Sequence, residues 1–355
     1  MASIAEMKEI ALIDFLGEPG ARFEVPRFQR AYSWEAEQCD ELWRDLGRAA
    51  RAGRAHFAGA IMYLDESRDG AVLSIVDGQQ RLTTASLIVA ALAGYLRESG
   101  ETLYGMGADD LIGAFLVNGS AAKLMLSRVD RDTFDAIAEG RPLPDNPSQH
   151  VVENLDRFAS KMREPEFDAL ALWKSLSSLK VIAIALDERQ RACDVFESLN
   201  ARGVRLTTAD LVRNHLLLAE SRAEQARLFE KWWEPIQGAF GDDPGSIRLD
   251  NAILGWLSVR FREVRKFGSK QAFSIFKAFC EDEYDGTTDA LLEELYAFCL
   301  VWTENYRYHA VKKYKAADWA RLGSKTRVSG RALVEPDNPE SREYYRKHFG
   351  VDPKW

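Results

Sequence analysis

Leu73-Ser-Ile-Val-Asp-Gly-Gln-Gln-Arg-Leu-Thr-Thr84 is the stretch on which the reading of this chain turns. An apolar run stops at a carboxylate, a glycine follows, then three long polar side chains, then hydroxyls that open a helix predicted from about Thr83 to Leu96. A strand that turns straight into a helix in this way makes an α/β element with an anion seat. The free N–H groups and the dipole of the helix N-terminus attract negative charge. Gly78 lets the backbone approach a ligand closely, and Arg81 can hold two phosphate oxygens at once. Asp77 is placed to hold Mg²⁺ on the phosphates or to orient a water, and Gln79 or Gln80 to position that water. Thr83 and Thr84 add hydroxyls at the same helix start. The same residues would equally build a plain strand-to-helix turn, with Asp77 capping backbone N–H groups and pairing with Arg81. A helix terminus contributes about 0.3–2 kcal/mol whereas micromolar binding takes about 8 kcal/mol, so other parts of the chain must supply most of the affinity.

Outward from that stretch, Phe57–Leu64 and Ala71–Val76 read as two strands of a hairpin joined by the polar run Asp65–Gly70. Phe23-Glu-Val-Pro26 is a short strand with proline at its exit, since proline cannot donate to a ladder. Ser33 is a fair N-cap for a helix from about Trp34 to Ala50, whose Cys39, Leu42, Trp43 and Leu46 share one face. The first sixteen residues suggest a short helix ended by Gly17-Glu-Pro-Gly20. Beyond residue 100 the pattern is mostly helical, with helices near 151–162, 191–199, 208–220, 223–240, 247–263, 270–282 and 287–305. Val181–Leu186 is a further strand, a candidate to join the first sheet. The expected class is α+β: a small α/β domain over 1–120, a mostly helical domain over 121–320, and a basic, poorly ordered tail over 321–355.

The 355 residues, 46% hydrophobic and 29% charged, are long enough for two domains and exclude collagen-like, low-complexity and wholly disordered classes. No apolar run reaches the roughly 18–20 residues of a membrane helix, and the start mixes charges where a signal peptide is apolar, so a cytoplasmic protein without a membrane is expected. Cys39, Cys193, Cys280 and Cys299 are far apart, with no C-x-x-C, and read as reduced thiols. The net charge of −8 argues against a surface coated for non-specific nucleic-acid binding. Charge is uneven, however: Tyr306–Trp355 holds twelve Lys or Arg against six Asp or Glu. That basic end suits either a solvated terminal helix and tail or attachment of a partner or DNA.

Two more clusters carry polar groups at element ends. In Arg27-Phe-Gln-Arg-Ala-Tyr-Ser-Trp34, arginines interleave with aromatics, which suits contact to phosphate and stacking on a base. Arg27, Phe28 and Tyr32 are therefore candidates for DNA, and Gln29 and Arg30 for phosphate; alternatively Phe28 and Trp34 are core and Arg27 is solvated. In Phe196–Asn214, Gly203 ends one helix and Thr207 with Asp210 forms a capping-box-like start to the next. Asn200, Arg202 and Arg205 are left in the tight connection. His56 leads into the strand paired before Asp77 and is a further phosphate candidate, or simply a polar residue at a strand start.

Together Pro26–Trp34, His56-Phe-Ala-Gly59, Asp77–Thr84 and Phe196–Asn214, in this order, resemble the GmrSD-type restriction endonuclease N-terminal domain family over about residues 10–220. Phe28 stands where tyrosine is usual. The resemblance implies a ParB- and sulfiredoxin-like core and a module that binds and hydrolyses a nucleoside triphosphate, with Mg²⁺, in a phage-defence system that cuts modified foreign DNA. It also implies a His-Asn-His nuclease domain, but His56, His150, His215, His309 and His348 sit in no Asp-His-x-x-Pro context. The chain is then a fragment, a subunit whose nuclease partner is another chain, or a member that does not cut; an oligomer is open to it. Two alternatives stand beside the hydrolase: a regulatory module that binds DNA or nucleotide without hydrolysis, and a ParB-like domain that is itself the nuclease. Walker A, G-x-G-x-x-G, G-x-S-x-G and H-E-x-x-H motifs are all missing from the sequence.

Overall fold

A computed structural model describes residues 4–52, 56–67, 70–186, 207–241, 247–261 and 271–310. The chain divides into two compact units, Met1–Ser198 and Leu199–Trp355. The first holds a mixed sheet and its helices, and the described part of the second is helical, an α+β protein.

Among the described residues the first unit holds eight strands: β1 (Ile4–Ala11), β2 (Arg22–Glu24), β3 (His56–Asp65), β4 (Val72–Asp77), β5 (Val117–Asn118), β6 (Ala121–Ala122), β7 (Leu124–Met125) and β8 (Leu179–Leu186). Six of them form one sheet in the order β1-β8-β3-β4-β2-β7, and β5 pairs with β6 apart from it. Strands β3 and β4 run antiparallel as the hairpin pattern implies, whereas β8 lies parallel to β3 and antiparallel to β1. The Val181–Leu186 run thus enters the middle of the sheet, next to β3.

The N-terminal helix expected over residues 1–16 is corrected in part. Residues 4–11 are the edge strand β1, and only Leu12–Leu16 form helix α1. Along β1 residues 5–9 are all exposed, so neither face of that run is buried and the sequence carries no alternation to read. Its charged side chains suit an edge strand, which must not invite further pairing. Pairing with β8, far along the chain, makes it a strand.

Helix α2 (Ala36–Ala52) follows β2 and places Cys39, Leu42 and Leu46 in the core. Helix α3 (Gln79–Ser99) begins four residues earlier than its apolar pattern indicates, so Gln79, Gln80 and Arg81 form its first turn. It is buried nearly all round, with Leu82, Leu87, Ile88 and Leu92 at 0% exposure. A helix apolar on every face belongs in the middle of a domain. Helices α4 (Ala108–Leu111), α5 (Arg128–Ala138), α6 (Gln149–Met162) and α7 (Ala169–Ser178) complete the unit, which therefore extends well past residue 120. One apolar cluster joins Phe23, Ile61, Tyr63 and Ile75 of the sheet to α1, α2, α3, α6 and α7.

In the second unit α8 (Thr208–Leu218) starts at the expected capping box: Thr207 Oγ1 accepts from Asp210 N–H at 3.1 Å, and Asp210 Oδ2 from Thr207 N–H at 3.3 Å. The helix expected over 223–240 is α9 (Arg222–Leu228), a π-helical turn (Phe229–Trp233) and α10 (Glu234–Phe240). Helices α11 (Ile247–Arg260), α12 (Ala272–Asp282) and α13 (Thr288–Ala310) surround a core of Trp233, Trp256, Trp302 and Phe276. The helix expected over 191–199 and the basic tail lie outside the described residues. No helix among the described residues is long and apolar enough to cross a membrane.

Candidate functional site

The Asp77–Arg81 turn sits where β4 meets α3. Gly78 is the N-cap residue with φ +95°, a left-handed conformation that disfavours a side chain. A Cβ there would lie 2.9 Å from Ile61 Cγ1 and 3.1 Å from Ile61 Cα. The tight turn leaves the α3 N-terminus without a capping side chain from its own N-cap position. Asp77 is at the strand end, opposite Met62 of β3. Burial raises its carboxyl pKa above the ordinary value, while the charges of Arg81 and Arg30 and a hydrogen bond from Gly78 N–H pull it back down. A desolvated carboxylate with two guanidiniums near it is the electrostatic centre of the turn.

Arg81 is held by an irregularity in β3. Between Phe57 and Ala60 the register with β8 shifts, and Gly59 takes φ +102°. There Arg81 Nη1 donates to Ala60 O at 2.9 Å. A Cβ on Gly59 would lie 2.9 Å from Arg81 Cζ, so the glycine of His56-Phe-Ala-Gly59 makes room for this guanidinium. His56 itself is turned elsewhere: its Nε2 lies 3.0 Å from Asp45 Oδ2 on α2.

The two glutamines hold protein. Gln79 Nε2 donates to Arg30 O at 3.2 Å. Gln80 Nε2 donates to Ala31 O at 3.2 Å, and Gln80 Oε1 accepts from Ser33 N–H at 2.9 Å. Gln29 Nε2 reaches Val76 O, one residue before Asp77, at 3.2 Å. The Gln-Arg segment and the Asp-Gly-Gln-Gln-Arg turn, about fifty residues apart in sequence, are thus one assembly in the fold.

Thr83 and Thr84 do not face a ligand. They are 1% and 0% exposed, and their hydroxyls donate to Gln79 O and Gln80 O at 2.8 Å each. Such bonding to the preceding turn is the ordinary way a helix takes up a buried threonine. Phe28 and Tyr32 are likewise corrected as base-stacking candidates, being 1% and 4% exposed. The Tyr32 hydroxyl meets Thr84 Oγ1 at 2.8 Å, and burial pushes its pKa up. Arg27 is exposed. Asn200, Arg202 and Arg205 lie outside the described residues.

Two residues that the sequence reading passed over complete the assembly. Asp130 of α5, 1% exposed, accepts from Tyr32 N–H at 2.6 Å through Oδ2 and from Ser148 Oγ at 2.6 Å through Oδ1. Asn154 of α6 donates from Nδ2 to Trp34 O at 2.7 Å and to Tyr32 Oη at 3.3 Å. A signal for Asn154 was present: it shares the buried stripe of Val151, Phe158 and Met162, where a polar side chain must find a partner.

As a donor set the turn favours an anion. Among the described residues no group of three His, Cys, Asp or Glu is placed to hold a metal. Mg²⁺ fits here only as an ion carried on phosphates, with Asp77 as its one protein carboxylate.

The model of the GmrSD restriction endonuclease N-terminal domain matches residues 12–217. The chain belongs to that family. The match spans the sheet except its edge strand β1, the Asp77–Arg81 turn and the start of the helical unit, and through this domain the chain is a component of a restriction, phage-defence system. No curated protein matches the chain. Within this GmrSD domain the Asp210 of the third motif has a visible task. It caps α8 and pairs with Arg213 at 2.9 Å, and Ala209 N–H donates to Asp250 Oδ1 at 2.8 Å beside it.

Proposed function

We propose that the Asp77–Arg81 turn, together with Gln29 and Arg30, binds the phosphates of a nucleoside triphosphate, and that this chain is the nucleotide-sensing module of its restriction system. One observation carries the reading: hydrogen bonds from Gln29 to Val76 O and from Gln79 to Arg30 O bring the Gln29-Arg30 segment onto the Asp77–Arg81 turn at the N-terminus of the most buried helix of the unit. Arginine offers paired donors to phosphate oxygens, and the helix terminus adds its dipole. Mg²⁺ carried on the phosphates would supply charge neutralisation, with Asp77 as its protein contact.

Binding drives a change only if the ligand prefers one of two arrangements of the protein. The proposed output is control of a nuclease domain or subunit acting on modified DNA, with the basic end from Tyr306 onward as the attachment point. Calorimetry with Mg²⁺ and each of ATP, GTP, CTP and UTP tests the reading. Wild type should bind at least one of them, and Arg81→Ala should lose about tenfold or more, the equivalent of about 1.4 kcal/mol. Equal affinity in the two proteins, or none in either, overturns it.

A second reading, a sensor that binds without hydrolysis, is favoured by one specific observation. Both ends of the Gln80 amide and the Gln79 Nε2 are engaged in holding residues 30–33, so these glutamines have a task other than orienting a water. Phosphate release in the presence of modified DNA separates the two. Release above an Asp77→Ala control establishes the hydrolase, and its failure leaves the sensor.

A further inference from the structure

Residues 30–35 lie in no helix or strand, yet each residue from Arg30 to Trp34 has one backbone group held by a side chain. These side chains are Gln79 and Gln80 from α3, Asp130 from α5 and Asn154 from α6. Irregular backbone is ordinarily the loosest part of a domain. Here five backbone groups in a row are fixed by groups that rise from three helices. Keeping a carboxylate at 1% exposure is costly unless its oxygens are used, and both oxygens of Asp130 are.

We infer that Asp130 and Asn154 are positioning residues, which hold the Arg30–Trp34 backbone against the first turn of α3 and so fix where the Arg30 side chain leaves the chain next to the Asp77–Arg81 turn. The inference rests on the nucleotide reading of the turn and deepens it, assigning two residues of α5 and α6 to a site whose ligand they do not touch. Arginine loses much rotamer freedom when it grips a phosphate, and a backbone fixed in advance lessens that loss. Asp130 supplies an acceptor to Tyr32 N–H, two residues from Arg30, and Asn154 a donor to Trp34 O. Between them the Tyr32 hydroxyl, on Thr84 and Asn154, ties the same segment to α3.

The test uses the full chain with two readouts. Hydrogen exchange at the amides of Tyr32 and Ser33 should quicken in Asp130→Ala while exchange in the rest of α3 stays slow. Unchanged exchange overturns the inference whether or not a nucleotide binds. Calorimetry with the triphosphate that wild type prefers should show about tenfold weaker binding for Asp130→Ala, as loss of one charge-assisted hydrogen bond implies. Asp130→Asn should restore most of it, because its Oδ1 still accepts from Tyr32 N–H and its Nδ2 can donate to Ser148 Oγ. In an Arg30→Ala background Asp130→Ala should have no further effect on affinity, since it acts through that arginine. An equal effect in both backgrounds, or no effect in wild type, overturns the inference. If wild type binds no triphosphate, the nucleotide reading falls and the positioning of Arg30 for phosphate falls with it, while the exchange result still decides whether Asp130 holds the segment. Should Asp130→Ala not fold, Asn154→Ala carries the same comparisons.

Discussion

Asp77 shows how a single residue can be placed against stability. Burial raises its pKa in the folded state above the ordinary value of 3.8, so the fold prefers the protonated acid. The sign of the linkage follows. Its contribution to stability is full below the unfolded value and is lost as pH rises through the raised folded value. Asp77→Asn should therefore raise the melting temperature at pH 7, with the gain shrinking as pH falls toward 3.8. Melting curves across that range check it, and a variant less stable than wild type at pH 7 would show that the arginines outweigh burial. Gly59 is placed by geometry instead. Gly59→Ala meets a left-handed backbone and the Arg81 guanidinium together, so it should cost about 1–3 kcal/mol and weaken triphosphate binding as Arg81 is displaced. Stability and affinity measured on one preparation decide this, and an unaltered affinity would mean that Arg81 is not at the phosphates.

Among the elements, α3 carries most of the site's logic. Its first turn supplies Gln79, Gln80 and Arg81, and its body is the centre of the core, so the turn cannot shift without disturbing the packing. The apolar pattern located the body of this helix but not its start, because Gln79, Gln80 and Arg81 are polar residues that look like loop until their partners are known. Gln80→Ala removes an amide bonded at both ends and leaves Ala31 O and Ser33 N–H to find water. A loss of about 1–3 kcal/mol in the transition of the first unit is expected by urea unfolding. A change under about 0.5 kcal/mol would show that the segment does not depend on this side chain. Strand β1 is the opposite case: an element whose residues 5–9 stay exposed and whose state is set by a distant partner.

At the scale of the molecule, the chain is a sheet-bearing unit and a helical unit, each with its own core. The first is built on long-range pairings and the second on helices whose tryptophans meet at Trp233, Trp256 and Trp302. DNA hydrolysis at neutral pH requires a general base and, in most enzymes, a metal held by several ligands. The described residues offer one carboxylate between two arginines and no cluster of metal-ligating side chains. The chain by itself should therefore leave both unmodified and modified plasmid intact when metal is supplied. Gel assay of nicking decides it, and nicking that disappears in Asp77→Ala would make the turn itself a nuclease.

The sequence alone determined the α+β class, the β3–β4 hairpin, the capping box at Thr207 and Asp210, and the place of the strand-to-helix turn at Asp77–Arg81. Each rests on residues close together, where periodicity, turn chemistry and a carboxylate-glycine junction are enough. The motifs also carried the family, since four short patterns kept their order. Tertiary structure alone decided what the polar groups of these motifs touch. Thr83, Thr84, Phe28 and Tyr32 read as ligand contacts because they stand beside ligand-like residues, but burial turned them inward. Gln79 and Gln80 read as water-orienting groups, and the approach of a segment about fifty residues away gave them backbone to hold. Asp130 was silent for the same reason, and Asn154 showed only as a polar residue on a buried stripe with no visible partner: the Arg30–Trp34 backbone reaches them across about a hundred residues, and only the folded chain brings them together.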